Sequence, residues 1–380
     1  MIQPIVLGLL ASFIGFSSSF TVVLQGFLAM GATPAQAASG LTIITFSMGA
    51  LGAAFSLLTR QPMAIAWSTP GAALLVATAA PEGGFGVAVG AFLVSGLLIM
   101  LAGLWRPLLR AVEGIPAPIA NAMLAGVLLD LCVAPARAVG VVPEIALPVV
   151  LTWLVMLRLA RLWAVPAAVA VAAVLVSTLV PMPAGALAGA GPRLEWVWPI
   201  FEPAAMLGIG VPLFLVTMAS QNVPGIAVLN AFGYRPDVGR VFLATGGASA
   251  AGAFVGGQMI NFAAITAAMC AGPEAHPDPA RRWVAGFVNG LGYMAFALAA
   301  GVAAAAVALA PPVLIQAVAG LALLGSMAAA LRGSVEDDAL RIPAVLCFVT
   351  CASGLSFFGV GAAFWGLLAG LGAAAVISRG

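Results

Sequence analysis

Residues 61–71 read Gln-Pro-Met-Ala-Ile-Ala-Trp-Ser-Thr-Pro-Gly, and residues 256–262 read Gly-Gly-Gln-Met-Ile-Asn-Phe. Each belongs to an apolar stretch, at 62–79 and 256–271, that is punctuated by Pro, Gly and amide residues instead of running on as a helix. Both predict an extended piece followed by a short helix. Lipid offers backbone groups no hydrogen-bond partner. A break of this kind therefore survives at membrane depth only where protein encloses it or it lines a cavity.

The composition places the chain in lipid. Of its 380 residues, 63% are apolar and 7% charged, with a net charge of +2, and the mean hydropathy is +1.17. A soluble domain carries about 25% charged residues to cover its surface. So few charges cannot cover a body of this size, which excludes a soluble protein. The 14 basic residues are all Arg and form no basic stripe, so no nucleic acid partner is expected. The start has neither a basic cluster nor an Ala-x-Ala cleavage site and reads as a first membrane helix, not a removable signal peptide.

Crossing a bilayer takes about 20 mostly apolar residues. Twelve uninterrupted candidates lie at 5–30, 37–58, 86–104, 115–134, 142–160, 163–181, 202–223, 238–254, 282–308, 312–331, 339–355 and 358–377. With the two broken stretches, fourteen crossings are predicted. Starting from a cytoplasmic N-terminus, alternation puts Arg60, Arg106, Arg110, Arg158, Arg161, Arg235, Arg240, Arg281, Arg282, Arg332, Arg341 and Arg379 in the cytoplasm. Only Arg137 and Arg193 fall outside. This is the bias of the positive-inside rule, and omitting both broken stretches would put Arg106 to Arg161 on the wrong side. The expectation is a multi-pass protein of a bacterial inner membrane with both termini cytoplasmic.

The chain also repeats. Ala29-x-Gly31-x-x-Pro34 matches Ala231-x-Gly233-x-x-Pro236 at an offset of 202, and Ser17-Ser18-Ser19 falls on Ala219-Ser220-Gln221. Each Pro is followed by one helix and then a broken stretch. Seven crossings per half, in residues 1–190 and 195–380, make the second half enter from the opposite side. That is the inverted-repeat plan of secondary carriers. The fold class expected is an all-α polytopic membrane protein of fourteen segments in a 7+7 inverted repeat.

The broken stretches then mark the site, because a helix N-terminus presents unpaired N–H groups and attracts anions. Ser68 or Thr69 is expected to cap the first half-helix, with Pro70 in its first turn. Asn261 is expected to cap the second, with Gln258 facing the cavity. In Thr217-Met-Ala-Ser220-Gln221-Asn222-Val-Pro224-Gly225 three consecutive polar side chains need partners, and Pro224 deprives the Ser220 carbonyl of its helical donor. Helix–helix hydrogen bonding is the plainer reading of such residues; the Pro-Gly break favours a site. Ser19 and Gln25 on the equivalent first-half helix are weaker candidates. Asp130 lies inside an apolar span, where a carboxylate is costly and often functional. It is expected either to relay protons or simply to pair with Arg137. Cys132, Cys270, Cys347 and Cys351 sit in apolar runs as small hydrophobes, and His276 lies in a loop, so neither metal nor cofactor is expected. Without paired carboxylates or a membrane-depth His, an intramembrane enzyme has no support.

Met218-Ala-Ser-Gln-Asn-Val-Pro-Gly225, followed by Gly233-Tyr234-x-Pro236 and by Gln258-Met-Ile-Asn261, resembles the benzoate/proton symporter family of the BenE type. The likeness covers the whole chain. That family resembles the uracil permease fold, which implies a core domain of segments 1–4 and 8–11 and a gate domain of segments 5–7 and 12–14. It also implies substrate held between the short third and tenth segments and the first and eighth helices. The function implied is symport of benzoate, or a similar small aromatic carboxylate, with protons; the lipid bilayer is the other partner, and a homodimer is an assembly open to it. A ring would lie on apolar surface including Phe20 and Phe262. The nucleobase permeases carry Glu in the eighth and tenth segments; here the eighth has only Glu202 at its start and the tenth has none. A nucleobase or inorganic-anion transporter of the same fold is the alternative, and an anion channel a more distant one.

Overall fold

The computed structural model describes residues 2–179, 191–358 and 360–377. The last two residues of the predicted 163–181 segment, residues 182–190 at the end of the first predicted half, and Arg379 lie outside them. Among the described residues, eight helical stretches are long and apolar enough to cross a membrane, with two shorter apolar helices near the end.

The first span is α1 (Ile2–Ser17) followed by α2 (Phe20–Ala29), where the sequence predicts one unbroken helix. The break falls where three hydroxyls bond back to preceding carbonyls, Ser17 to Phe13 at 2.6 Å and both Ser18 and Ser19 to Gly15 at 3.3 Å. Local bonds of this kind compete with the helical ladder. α3 (Pro34–Thr59) begins with a capping box between Thr33 and Gln36, which satisfies two orphan N–H groups. Next come β1 (Ile65–Trp67), α4 (Thr69–Ala77), α5 (Phe85–Leu104), α6 (Arg106–Glu113), α7 (Ala117–Val141), α8 (Pro143–Leu159) and α9 (Ala164–Leu179).

After an extended stretch at 191–202, one continuous helix runs from Pro203 to Ala231. It consists of α10 (Pro203–Ala205), α11 (Val211–Thr217) and α12 (Val223–Ala231), joined by π turns at Met206–Gly210 and Met218–Asn222. Around Pro224, which takes the helical donor from the Ser220 carbonyl, the chain runs in π register, and the Val223 N–H reaches the Met218 carbonyl. π turns recur at functional sites. α13 (Val238–Ala253), β2 (Ile260–Phe262), α14 (Ile265–Ala271), α15 (Trp283–Leu309), α16 (Pro312–Ser334), α17 (Arg341–Ala352) and α18 (Ala362–Ile377) complete the order.

Both broken stretches are an extended piece leading into a short helix. Their strands pair antiparallel, with Ile65 opposite Phe262, Ala66 opposite Asn261 and Trp67 opposite Ile260. Two further bonds extend this ladder, from Ser68 N–H to the Met259 carbonyl at 2.9 Å and from Ala263 N–H to the Ala64 carbonyl at 3.0 Å. The backbone of both strands is thus bonded within the protein, as lipid requires.

Helix packing is reciprocal. α3 packs on α15 and α5 on α13, while α7 packs on α16. α8 packs on α9, and α17 on α18. The first two crossings run through glycines. A methyl group on Gly290 would stand 2.5 Å from the Gly49 carbonyl oxygen, and one on Gly246 would stand 2.7 Å from that of Gly96. Small residues let membrane helices approach this closely. Gly31 and Gly233, matched by the sequence repeat, both turn the chain with positive φ, at 87° and 86°.

Candidate substrate site

A cavity of about 110 Å³ lies where the two broken stretches meet α1 and α16. Its polar wall comprises Ser18, Ser19, Thr69, Gln221, Thr266, Tyr293 and Ser326, and Trp67 supplies an aromatic face. Among the described residues, no Asp, Glu, Arg or His borders it. Any charge on a guest therefore meets neutral donors.

The first turn of α4 can be accounted for donor by donor. Ser68 N–H is taken by Met259, and Pro70 has no N–H. The Gly71 N–H is capped by Ser68 Oγ at 3.1 Å. That leaves the Thr69 amide, on the cavity wall, as the first-turn donor without an intrahelical partner. The Ser68 hydroxyl also bonds Thr217 Oγ1 at 2.7 Å, tying the half-helix to the Pro203–Ala231 helix. α14 differs. Its N-cap position is Ala264, with no side-chain cap, so its first-turn amides stay open beside the cavity-lining residues Ala263, Ala264, Ile265 and Thr266.

The expected site residues fall into three groups. Ser19, Thr69 and Gln221 border the cavity. Ser68, Asn222, Gln258 and Asn261 are fully buried behind it. Gln258 does not face the cavity as expected; its amide bridges the two stretches, with Nε2 donating to the Ser68 carbonyl at 3.1 Å and Oε1 accepting from Met259 N–H at 3.0 Å. Asn222 Oδ1 accepts from Phe262 N–H at 3.0 Å. Asn261 does not cap α14, because its Nδ2 donates to the Phe262 carbonyl at 2.7 Å, ahead of the helix start. Gln25, Ser220 and Asp130 lie off the cavity wall. Asp130 is paired with Arg137 at 2.7 Å on an exposed face, the plainer of its two expected roles.

Neither phenylalanine expected to hold a ring borders this cavity. Phe262 is fully buried against Phe242. Phe20 stacks on Phe16 at 5.3 Å and lines a separate apolar cavity of about 220 Å³ between α2, α9, α15 and α16. The aromatic surface at the polar cavity is Trp67. Its Nε1–H donates to Ser19 Oγ at 2.9 Å, and its ring leans on Phe16 at 5.5 Å. Sequence reasoning does not single out Trp67, Thr266 or Tyr293. Two of them carry a signal: Trp67 is the aromatic residue inside the first broken stretch, and Tyr293 is one of only two tyrosines, set in an apolar span.

Paired half-helices enclosing a cavity in an apolar helical body define a membrane transport protein, and solved structures share this architecture. The transmembrane domain of a cyanobacterium bicarbonate transporter, BicA, superposes with a TM-score of 0.60 at 14% identity, covering 98% of each chain. SLC26A9 gives 0.63 at 14% identity, over 98% of this chain and 65% of that one. The profile of the family described as benzoate membrane transport protein matches residues 2–376, and the chain belongs to that family. Relatives include Inner membrane protein YdcO of Escherichia coli (strain K12), 37% identical over 96% of this chain and 93% of the relative. The Benzoate membrane transport protein of Acinetobacter baylyi (strain ATCC 33305 / BD413 / ADP1) is 32% identical over 96% and 92%. The protein is a multi-pass membrane transport protein, not an enzyme.

Proposed function

We propose that the protein is a secondary carrier that moves benzoate, or a similar small aromatic carboxylate, together with protons by alternating access. The observation that carries this reading is the cavity itself. The open Thr69 amide and the uncapped first turn of α14 converge there on neutral hydroxyls and a tryptophan face. Such a wall suits one carboxylate and one ring. It also binds a single negative charge weakly enough to release it, since no fixed cation among the described residues borders it.

The carboxylate would lie between Thr69 and the α14 amides, with Ser19 and Gln221 beside it and the ring on Trp67. Ser68, Asn222, Gln258 and Asn261 would hold the two stretches in register. The chain would cross fourteen times in two inverted sevens with both termini cytoplasmic. The matched positive-φ glycines and the reciprocal packing of α3 on α15 and α5 on α13 support that repeat. A core of α1–α5 with α10–α15 would rock against a gate of α7–α9 with α16–α18, and the cavity sits between them. Uptake of labelled benzoate into proteoliposomes under an inward proton gradient tests this. Accumulation that collapses with the gradient is expected, competed by unlabelled benzoate but not by bicarbonate or uracil. Absence of uptake, or competition by those two compounds alone, refutes it.

A further inference from the structure

Three polar side chains from two helices meet at one end of the cavity. Tyr293 and Asn289 lie one turn apart on α15, and Thr266 comes from α14. The Tyr293 hydroxyl lies beside the side chains of both Thr266 and Asn289. All three residues are at most 5% exposed. Yet Thr266 Oγ1 and Asn289 Nδ2 have no hydrogen-bond partner. A buried polar group left unpaired is costly, and the Thr266 hydroxyl, on a residue of the cavity wall, calls for an occupant. Thr266 and Tyr293 both border the cavity.

The room for this cluster comes from Gly15 on α1. A methyl group there would stand 2.0 Å from the Tyr293 hydroxyl and 3.1 Å from Thr266 Cγ2. A side chain there would push the tyrosine hydroxyl away. The donor set is also one-sided. An amide N–H₂ has no acceptor capacity, and both hydroxyls can donate. Asn289 Nδ2, unpaired in this structure, reaches the tyrosine oxygen on a small shift of its amide, and that bond turns the Tyr293 O–H outward.

We infer that Tyr293 is a substrate-binding residue, its hydroxyl donating to an oxygen of the bound carboxylate, and that Asn289 and Thr266 are positioning residues that orient it. This rests on the transport reading above and extends it to a side chain of α15. The low tyrosine count gives a direct probe. The full chain carrying Tyr234→Phe and labelled with 3-fluorotyrosine holds a single fluorine, at Tyr293, and is titrated with benzoate in detergent, with binding measured independently by calorimetry. The expected result is a saturable shift of that fluorine resonance with the calorimetric Kd. Tyr293→Phe is expected to weaken binding by about tenfold or more, the scale of a lost hydrogen bond to a charged group. Asn289→Leu is expected to move the ligand-free resonance and to weaken binding by a smaller factor. Benzoate binding with an unmoved resonance, or with an unchanged Kd in Tyr293→Phe, overturns this inference alone. No calorimetric binding to the unsubstituted chain overturns the transport reading and this inference with it.

Discussion

Ser220, Gln221 and Asn222 are consecutive, and the structure gives each a different environment. Successive helical residues turn by about 100°, so three in a row cannot share one face. Gln221 reaches the cavity, Asn222 the β2 backbone, and Ser220 neither. The sequence shows that such residues need partners, but a π turn at 218–222 shifts the phase, and no propensity argument locates that turn. The distinction predicts opposite phenotypes. Asn222→Ala leaves the Phe262 N–H unpaired in the interior and should lower stability by about 1–3 kcal/mol. Gln221→Ala empties part of the cavity wall and should leave stability within about 0.5 kcal/mol while raising the KM for uptake. Thermal unfolding in detergent and uptake kinetics on both variants check this. A Gln221→Ala chain that melts early with normal KM would contradict the assignment.

Among the elements, the broken stretches are legible in the sequence because Pro and Gly punctuate them at fixed places. Their pairing is not. A three-residue strand offers too little alternation to show a partner, and β1 finds β2 only through the tertiary fold. The break between α1 and α2 is hidden for a related reason, since a run of Ser is tolerated in many helices and disrupts one only where its hydroxyls bond back to the chain. Glycines also carry two separate kinds of information that the sequence does not distinguish. Gly233 has φ 86°, and a methyl group there would meet nothing within 4 Å, so Gly233→Ala should cost only the backbone strain, about 1–2 kcal/mol. In Gly290→Ala the methyl meets Ala53 N and the Gly49 carbonyl oxygen, both at 2.5 Å, and backbone cannot step aside. α3 and α15 would have to separate, and the loss should exceed that of Gly233→Ala clearly. Melting temperatures of the two variants, measured side by side, decide it; equal losses would mean that the α3–α15 crossing contributes no more than a turn.

For the whole molecule, composition and the spacing of apolar runs settle that the chain is a helical membrane body, but hydropathy cannot say which apolar face meets which. That α3 lies on α15, and that the end of α4 meets the start of α18, comes from shape alone. This second contact gives a test of the rocking motion that stays clear of the substrate cavity. A methyl group on Gly361, just before α18, would stand 3.5 Å from Thr78 Cγ2 at the end of α4, so side chains at these two positions touch and cysteines placed there can be tested for a cross-link. The double variant Thr78→Cys/Gly361→Cys, in a chain whose four native cysteines are replaced by Ala, would join the proposed core to the proposed gate. A control pair, Ile43→Cys/Gly252→Cys, would join α3 to α13 inside the proposed core, where a methyl on Gly252 would stand 3.6 Å from Ile43 Cγ1. If access alternates by movement between the two bodies, oxidising the first pair stops benzoate uptake and a reductant restores it, while oxidising the control pair leaves the rate near its starting value. Complete bridging of residues 78 and 361 with undiminished uptake would show that the bodies need not move apart there, and the carrier would have to work by a change confined to the half-helices.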